Sequence, residues 1–199
     1  MTKSELLVRV PPLYRLARAW RDRGHAREHP PTRVKHDVLR QTARAHGLRT
    51  LVETGTYMGE TGWAMRREFD RIETIELQPT LAALARVRFA RTLNVTVHEG
   101  DSGVVLQRIL DGLDSPALFW LDAHPCTDRA ASGTTVPLLA ELAAIARHCV
   151  SGHAIVIDDM RLMGTPGFPR TEELALPAFR FEQIGDVGVL TPVAQPSLA

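Results

Sequence analysis

Residues 49–62 read RTLVETGTYMGETG, and a strand, a turn and a helix are predicted within them. A short apolar run ends at Glu53, and Gly55 and Gly59 separate it from a helical pattern. Glycine lets the backbone turn sharply, approach a ligand closely and start the next helix tightly. The stretch therefore predicts a strand followed by a ligand-binding turn.

The same alternation of strand and helix continues through the rest of the chain. The predicted strands span residues 49–55, 72–77, 94–101, 117–124 and 153–159. The predicted helices between them span residues 60–69, 79–91, 103–113 and 137–148. Strict alternation predicts a parallel sheet with helices on both faces. Residues 179–193 carry two further strands around a Gly-Asp turn, which predicts an antiparallel hairpin.

The first 48 residues differ from the rest in pattern and charge. Helical spacing covers residues 4–23 and 33–46. Residues 1–49 contain twelve Lys and Arg against four Asp and Glu, whereas the remainder contains twelve against nineteen. Two interpretations stay open: a basic arm docked on its own acidic domain, or a basic surface for an anionic partner. We expect a helical arm over residues 1–48 and a ligand-binding domain over residues 49–199.

Composition excludes several classes of protein. No apolar run approaches the roughly 20 residues that span a bilayer, so no membrane partner is expected. Cys126 and Cys149 lie in unlike contexts and form no metal spacing, which favours a reducing cytoplasm. Only two of the 24 basic residues are lysines, and arginine richness of this kind reflects genome composition, so nucleic-acid binding is not expected.

Acidic residues stand where each predicted parallel strand ends. They are Glu53, Glu76, Asp101, Asp122, Asp158 and Asp159. The carboxyl ends of parallel strands lie along one edge of an open sheet, where ligands bind. Carboxylates gathered on one edge need a donor, a hydroxyl or a cation as partner.

Structural alternatives exist for each of these acids when it is taken alone. Asp101 and Ser102 can cap the following helix, because both residue types accept hydrogen bonds from helix N-termini. Glu76 can be a solvated loop residue, and Asp122 with the Asp158–Asp159 pair can bind loop amides. A ligand site explains all strand ends together, whereas each structural alternative explains one.

The spacing of the glycines separates two classes of nucleotide ligand. The turn reads G-x-x-x-G, whereas a dinucleotide fingerprint reads G-x-G-x-x-G, so a nicotinamide cofactor is disfavoured. Glu76 follows the turn by about 20 residues, where an acid binds the ribose hydroxyls of a nucleotide. That position fits either a nicotinamide or an adenosyl ligand.

Together these residues resemble the S-adenosylmethionine-dependent methyltransferases with a Rossmann-like fold. The resemblance covers residues 49–193 and rests on ETGTYMG in the turn, TIEL, GDS after the third strand, and the closing hairpin. LDAH at 121–124 and IDD at 157–159 are similar to the metal-assisted O-methyltransferases of the macrocin type. The resemblance implies an α/β, doubly wound, mostly parallel seven-stranded sheet with an antiparallel C-terminal hairpin.

The resemblance also implies a role for each matching residue. The implied S-adenosylmethionine-binding residues are Glu53, Gly55, Thr56, Tyr57, Gly59, Glu76, Asp101, Ser102 and Asp122. Among them, Glu53 and Gly55 would border the methionine part. Glu76 would bind the ribose hydroxyls, and Asp101 with Ser102 would face the adenine.

A divalent cation, with Mg²⁺ as the expected ion, is implied at Asp122, Asp158 and Asp159, because a hard ion prefers carboxylate oxygens. The metal-using relatives carry an acid two residues after the first aspartate, where this chain has His124. His124 can act as a base, a ligand or a substrate contact. Asp122 and His124 are the expected catalytic residues.

The function expected from this resemblance is S-adenosylmethionine-dependent O-methylation of a small-molecule hydroxyl. Two alternatives stay open: a non-catalytic domain that binds the cofactor, a nucleotide or a partner, and an NAD-dependent oxidoreductase. Residues 125–136 are polar and are either a plain surface loop or a flap over the acceptor. Because the chain has no large inserted lid, completion of the acceptor pocket by a homodimer also stays open.

Overall fold

The computed structural model describes residues 32–122 and 136–193. In these residues a central sheet of seven strands has helices packed on both of its faces. The strands are β1 (Thr50–Thr54), β2 (Arg71–Glu76), β3 (Val95–Glu99), β4 (Ala117–Leu121), β5 (Ala154–Ile157), β6 (Phe179–Ile184) and β7 (Val187–Pro192). The helices are α1 (Thr32–Ala45), α2 (Glu60–Met65), α3 (Pro79–Phe89), α4 (Ser102–Asp111) and α5 (Leu138–Ala146). Two short 3₁₀ helices, Met160–Leu162 and Thr171–Leu174, follow β5.

The strand order confirms the predicted fold class. The order is β3-β2-β1-β4-β5-β7-β6, and β1 to β5 pair in parallel. Strand β7 runs antiparallel to both β5 and β6, which is the predicted C-terminal hairpin. The order reverses beside β1, between β1 and β4, which is where an open α/β sheet binds ligands.

Apolar residues of the central strands pack on both faces of the sheet. In β4, Phe119 and Leu121 join a core cluster beneath α4 and α5. The alternate residues Leu118 and Trp120 join a second cluster beneath α1 and α2. Because successive side chains of a strand point to opposite faces, a continuous apolar run fills both layers.

Helix α1 is part of the second of these core layers. Its residues Val38, Leu39 and Ala43 are buried in the cluster that contains Trp120 and Val156. One turn of α1 earlier, on the same face, lies Lys35. The packing of α1 therefore brings a basic residue of the N-terminal segment to the carboxyl end of the sheet. The division of the chain at residue 48 stays a prediction.

Helices α2, α3, α4 and α5 are all shorter than the sequence pattern suggested, and α2 differs most from its prediction. Helix α2 ends at Met65, whereas the prediction continued to Phe69. The backbone N–H of Asp70 donates to the carbonyl of Arg49 at 2.9 Å. Asp70 lies directly before β2, so residues 66–70 form the turn that connects the helix to the sheet.

No helix of the described ranges combines the length and hydrophobicity that a membrane-spanning segment needs.

Acid is expected to destabilise the fold through His153, which is buried at the start of β5. The N–H of Ala117 donates to its Nδ1 at 3.0 Å, and the ring lies edge-on to Phe119. Burial, and then the charge of His148, lowers the pKa of His153 from 6.5 to about 4. As the pH falls, the imidazole of His153 is protonated in the unfolded chain before it is protonated in the folded protein. The free energy of unfolding is therefore unaffected by His153 above about pH 6.5 and decreases as the pH falls toward 4.

The loss from His153 alone should reach about 3 kcal/mol near pH 4. Urea unfolding at several pH values between 7.5 and 4.5 measures it, with His153→Gln as the non-titrating comparison. The carboxylates titrate equally in both proteins, so the difference between them belongs to His153 and to its contact with His148, whose Nδ1 lies 2.8 Å from Nε2 of His153. Equal pH slopes for the two proteins would contradict the expectation.

Candidate functional site

The strand-end acids meet along one rim, as predicted from the alternation. The N–H of Asp122 donates to the carbonyl of Thr54 at 3.2 Å, and the N–H of Asp158 donates to the carbonyl of Leu121 at 2.9 Å. These bonds continue the parallel pairing of β1, β4 and β5 by one residue. One carboxylate oxygen from each of Asp122, Asp158 and Asp159 lies within 4.8 Å of the others.

The turn after β1 has a backbone that requires glycine. Gly55 has a φ of 105° and Gly59 a φ of 69°, both in the region that residues with a side chain rarely adopt. A Cβ at Gly55 would lie 3.2 Å from the Cβ of Asp122. A Cβ at Gly59 would lie 2.8 Å from the ring of Phe89. The first glycine lets the turn pass close to Asp122, and the second lets α2 start against α3.

Glu76 ties this turn to the end of β2. Its carboxylate accepts hydrogen bonds from the backbone N–H of Tyr57 at 2.7 Å and of Gln78 at 2.9 Å. The side chain is 4% exposed, so the alternative of a solvated loop residue is wrong. Tyr57 itself has a φ of 46° and an exposed side chain. The carboxylate thus holds a strained turn in place at the position expected for a ribose-binding acid.

Glu53 is buried beneath the turn. The hydroxyl of Thr74 donates to its Oε2 at 2.6 Å, and the hydroxyl of Thr56 lies 2.6 Å from that of Thr74. Burial raises the pKa of Glu53 to about 8, the hydrogen bond from Thr74 opposes this, and the nearby charge of Asp122 adds to it. A cationic ligand on the rim would favour the ionised form of this carboxyl.

Asp101 and Ser102 lie at the start of α4. Asp101 is the N-cap residue, and its side chain accepts a hydrogen bond from the N–H of Gly103 at 2.9 Å. Helix capping, one of the two interpretations of this pair, is therefore observed. The proposed contact of both residues with adenine stays a prediction.

Glu141 of α5 is an acid of the site that the sequence reasoning missed. It is 3% exposed, hydrogen-bonds Ser102, and lies 3.5 Å from the hydroxyl of Thr54. Its Oε1 has no hydrogen-bond partner among the described residues. Burial raises its pKa to about 7, and the charges of Asp101 and Asp122 add to this. A single acid in the otherwise apolar helix LLAELAAIA was the signal that could have found it.

The Asp158–Asp159 pair has a cationic partner from the N-terminal segment. The ammonium of Lys35 lies 2.6 Å from Asp158 Oδ1, 2.7 Å from Asp158 Oδ2 and 3.2 Å from Asp159 Oδ1. Arg161 Nη1 lies 2.5 Å from the same oxygen of Asp159. Burial, and then the charges of Asp159 and Asp122, raises the pKa of Asp158 to about 7, and Lys35 limits this rise. The sequence reasoning did not find this contact.

Other predicted features lie outside the described residues. They are His124, Cys126, most of the proposed flap, and the first predicted helix, residues 4–23. Their predicted roles stay predictions.

The rim as a whole combines the glycine turn after β1, the carboxylate of Glu76 at the end of β2, and further carboxylates. Such an edge can bind a ligand that carries both hydroxyl groups and positive charge, because carboxylates accept hydrogen bonds from the first and attract the second. Purely structural contacts account for Asp101, but they leave Oε1 of the buried Glu141 without a partner in the described part of the chain.

Comparison by sequence gives no match to a protein-family model and none to a curated protein. Comparison by structure does find proteins of similar fold. An O-methyltransferase from Bacillus cereus in complex with S-adenosylhomocysteine is 18% identical, with a TM-score of 0.63 over 98% of this chain and 92% of that one. A putative caffeoyl-CoA O-methyltransferase from Staphylococcus aureus is 16% identical, with a TM-score of 0.60 over 88% and 91%.

A third similar structure is the O-methyltransferase TomG from Streptomyces achromogenes, involved in tomaymycin synthesis and solved with S-adenosylmethionine. It is 18% identical, with a TM-score of 0.57 over 81% of this chain and 80% of that one. At these identities the likeness shows the fold. The chain therefore has the Rossmann-like fold of these O-methyltransferases, as the resemblance in sequence implied.

Proposed function

We propose that this protein transfers a methyl group from S-adenosylmethionine to the hydroxyl of a small molecule. The observation that carries the proposal is the contact between Glu76 and the glycine turn. It presents a buried carboxylate beside a turn whose positive φ angles favour glycine, and this turn follows β1, the strand at the switch point of the sheet. The bound cofactors of the B. cereus and S. achromogenes structures, which share this fold, support the same ligand.

The cofactor's chemistry suits the charges of the rim. S-Adenosylmethionine carries a sulfonium and an amino group, and the methyl-free product lacks the sulfonium charge. Glu53 and Asp122, beside the turn, would attract the cofactor more strongly than the product. The ribose hydroxyls would donate to Glu76, and the adenine would lie toward Asp101 and Ser102.

The proposed reaction is a direct displacement at the methyl carbon. A lone pair of the acceptor oxygen forms the new C–O bond while the C–S bond breaks. The electron pair of the C–S bond stays on sulfur, which neutralises the sulfonium charge. The acceptor's hydroxyl proton passes to a base, for which Asp122 and His124 are the candidates. Because the sulfonium is already a strong electrophile, the main work of the protein is to align the two reactants.

A divalent ion is the part of the expected chemistry that the described residues do not fit. The oxygens of Asp122, Asp158 and Asp159 are close enough for one ion. However, Lys35 and Arg161 already contact the aspartate pair, so an ion would sit beside two positive charges. We therefore assign no step of the transfer to a metal.

For the methyl acceptor we propose only a chemical class, and for the cellular location only a compartment. A small molecule is the acceptor class that the neighbouring O-methyltransferases favour, and their own substrates are not transferred to this chain. The cytoplasm stays the proposed location, since Cys126 and Cys149 lie in unlike sequence contexts.

Isothermal titration with S-adenosylhomocysteine, and with NAD⁺ as the comparison ligand, tests the proposed function. We expect micromolar binding of the first and none of the second. Turnover is then tested by the release of S-adenosylhomocysteine from S-adenosylmethionine in the presence of catechols, sugars and phenols. Asp122→Asn should slow this release at least tenfold. Binding of NAD⁺ instead would favour the oxidoreductase alternative, and binding of S-adenosylhomocysteine without turnover of any acceptor would favour a non-catalytic domain.

A further inference from the structure

Lys35 occupies a position in which a flexible surface residue is not expected. Its side chain is only 13% exposed, and its ammonium contacts three oxygens of Asp158 and Asp159. The chain has just two lysines among 24 basic residues, so a lysine inside the acid cluster contrasts with the general use of arginine. An ammonium is a compact point charge, whereas a guanidinium is planar and larger.

The backbone holds this lysine over the end of β5. Val38 and Leu39 lie three and four residues after Lys35, and both are buried against the sheet. The lysine therefore belongs to the same face of α1 that anchors the helix. Its ammonium is brought to the carboxylates by core packing.

Asp158 and Asp159 are themselves fixed by contacts that leave them turned toward this cation. The N–H of Asp159 donates to Asp158 Oδ1 at 2.7 Å, and Asp159 has a φ of 56°. Asp159 is fully buried, and its Oδ1 is shared by Lys35 and Arg161. A buried carboxylate pair requires such positive partners, because two like charges out of water repel each other strongly.

We infer that Lys35 takes the place of the divalent cation that the sequence resemblance implies at these residues. Its ammonium, together with Arg161, is the resident counter-charge of the Asp158–Asp159 pair. The consequence for catalysis rests on the proposed function: the methyl transfer needs no added metal. In this arrangement Lys35 is a positioning residue, whose ammonium orients both aspartates at the rim through its contacts with their oxygens.

Binding of Mn²⁺ to the full chain, followed by the electron paramagnetic resonance signal of the free ion, tests the inference without cofactor or acceptor. Wild type should bind Mn²⁺ no more tightly than about 1 mM. Lys35→Met, which keeps most of the unbranched side chain without its charge, should bind at least tenfold more tightly. Adding Asp159→Asn should abolish the gain. Arg33→Met is the matched control, because Arg33 lies on the same helix with its side chain 90% exposed.

Thermal unfolding of the same variants decides the case in which neither wild type nor Lys35→Met binds Mn²⁺. Loss of the counter-charge should lower the melting temperature of Lys35→Met by about 10 °C, and that of Arg33→Met by less than about 2 °C. Neutralising the pair as well, in Lys35→Met with Asp158→Asn and Asp159→Asn, should recover at least half of the loss. If Lys35→Met fails to fold, a folded triple variant shows that the unpaired charges of Asp158 and Asp159 caused the failure.

Two results would overturn the inference. The first is Mn²⁺ binding by wild type below about 100 µM that disappears in Asp159→Asn, since the carboxylates would then hold a metal despite Lys35. The second is a melting temperature that Lys35→Met leaves unchanged. Neither result depends on methyl transfer, so failure of the proposed function would be recognised separately, by absence of S-adenosylhomocysteine binding.

Discussion

Glu76→Ala is expected to weaken the binding of S-adenosylhomocysteine about 100-fold. The carboxylate accepts hydrogen bonds from the N–H groups of Tyr57 and Gln78, and in the proposed complex it also accepts the ribose hydroxyls. A hydrogen bond to a charged group contributes about 1.5 to 3 kcal/mol. The loss of the ribose contacts, together with release of the turn, should therefore cost about 3 kcal/mol of binding.

Isothermal titration measures this loss, at a temperature where far-ultraviolet circular dichroism shows the variant folded. Glu76→Gln should fall between wild type and Glu76→Ala, because an amide keeps an acceptor oxygen but loses the charge. Glu99→Ala is the matched control. Glu99 ends the adjacent strand β3, is exposed, and pairs with Arg86. Affinity within threefold of wild type for a folded Glu76→Ala would refute the ribose role.

The second large effect is a pH dependence of cofactor binding that depends on Glu53. In the free protein, burial raises the pKa of this carboxyl to about 8, so it is mostly protonated at neutral pH. A cationic ligand beside it favours the ionised form, and binding should therefore release a proton. Because the carboxyl of Glu53 must lose its proton for tight binding, the affinity for S-adenosylmethionine should rise with pH until about pH 8.

If the bound-state pKa falls below about 5, the affinity should rise roughly fifty-fold between pH 6 and pH 8. Titration calorimetry in buffers of different ionisation enthalpy measures both the affinity and the proton released. Glu53→Gln imitates the protonated side chain and should show a much flatter profile. The amino group of the ligand titrates equally in both experiments, so the difference belongs to Glu53. Parallel pH profiles for the two proteins would exclude this role.

Local patterns were sufficient to predict the sheet and most of the rim. The apolar runs that end at Glu53, Glu76, Asp122 and Asp158 are short and separated by helical periods, and strand alternation leaves few topologies. Parallel strands place their carboxyl ends on one edge whatever packs around them. The position of the acids therefore followed from the order of the elements, before any contact was known.

Contacts between distant segments could not be predicted in the same way. Glu141 lies on α5 and meets Thr54 of β1, 87 residues earlier, because α5 packs on the face of the sheet that carries Phe119 and Leu121. No local rule connects these positions. The unusual feature visible in the sequence was the isolated acid in an apolar helix, which signals a partner without naming it.

The sequence by itself determined the α/β class, the glycine turn and the row of carboxylates, because each depends on a periodicity or on backbone freedom within a few residues. Only the tertiary structure decided which charge faces the Asp158–Asp159 pair. Lys35 lies 123 residues before Asp158 and reaches it because the apolar face of α1 packs on β4 and β5. Electrostatic partners at such separations are chosen by the packing of the core, and a sequence pattern contains no distance between them.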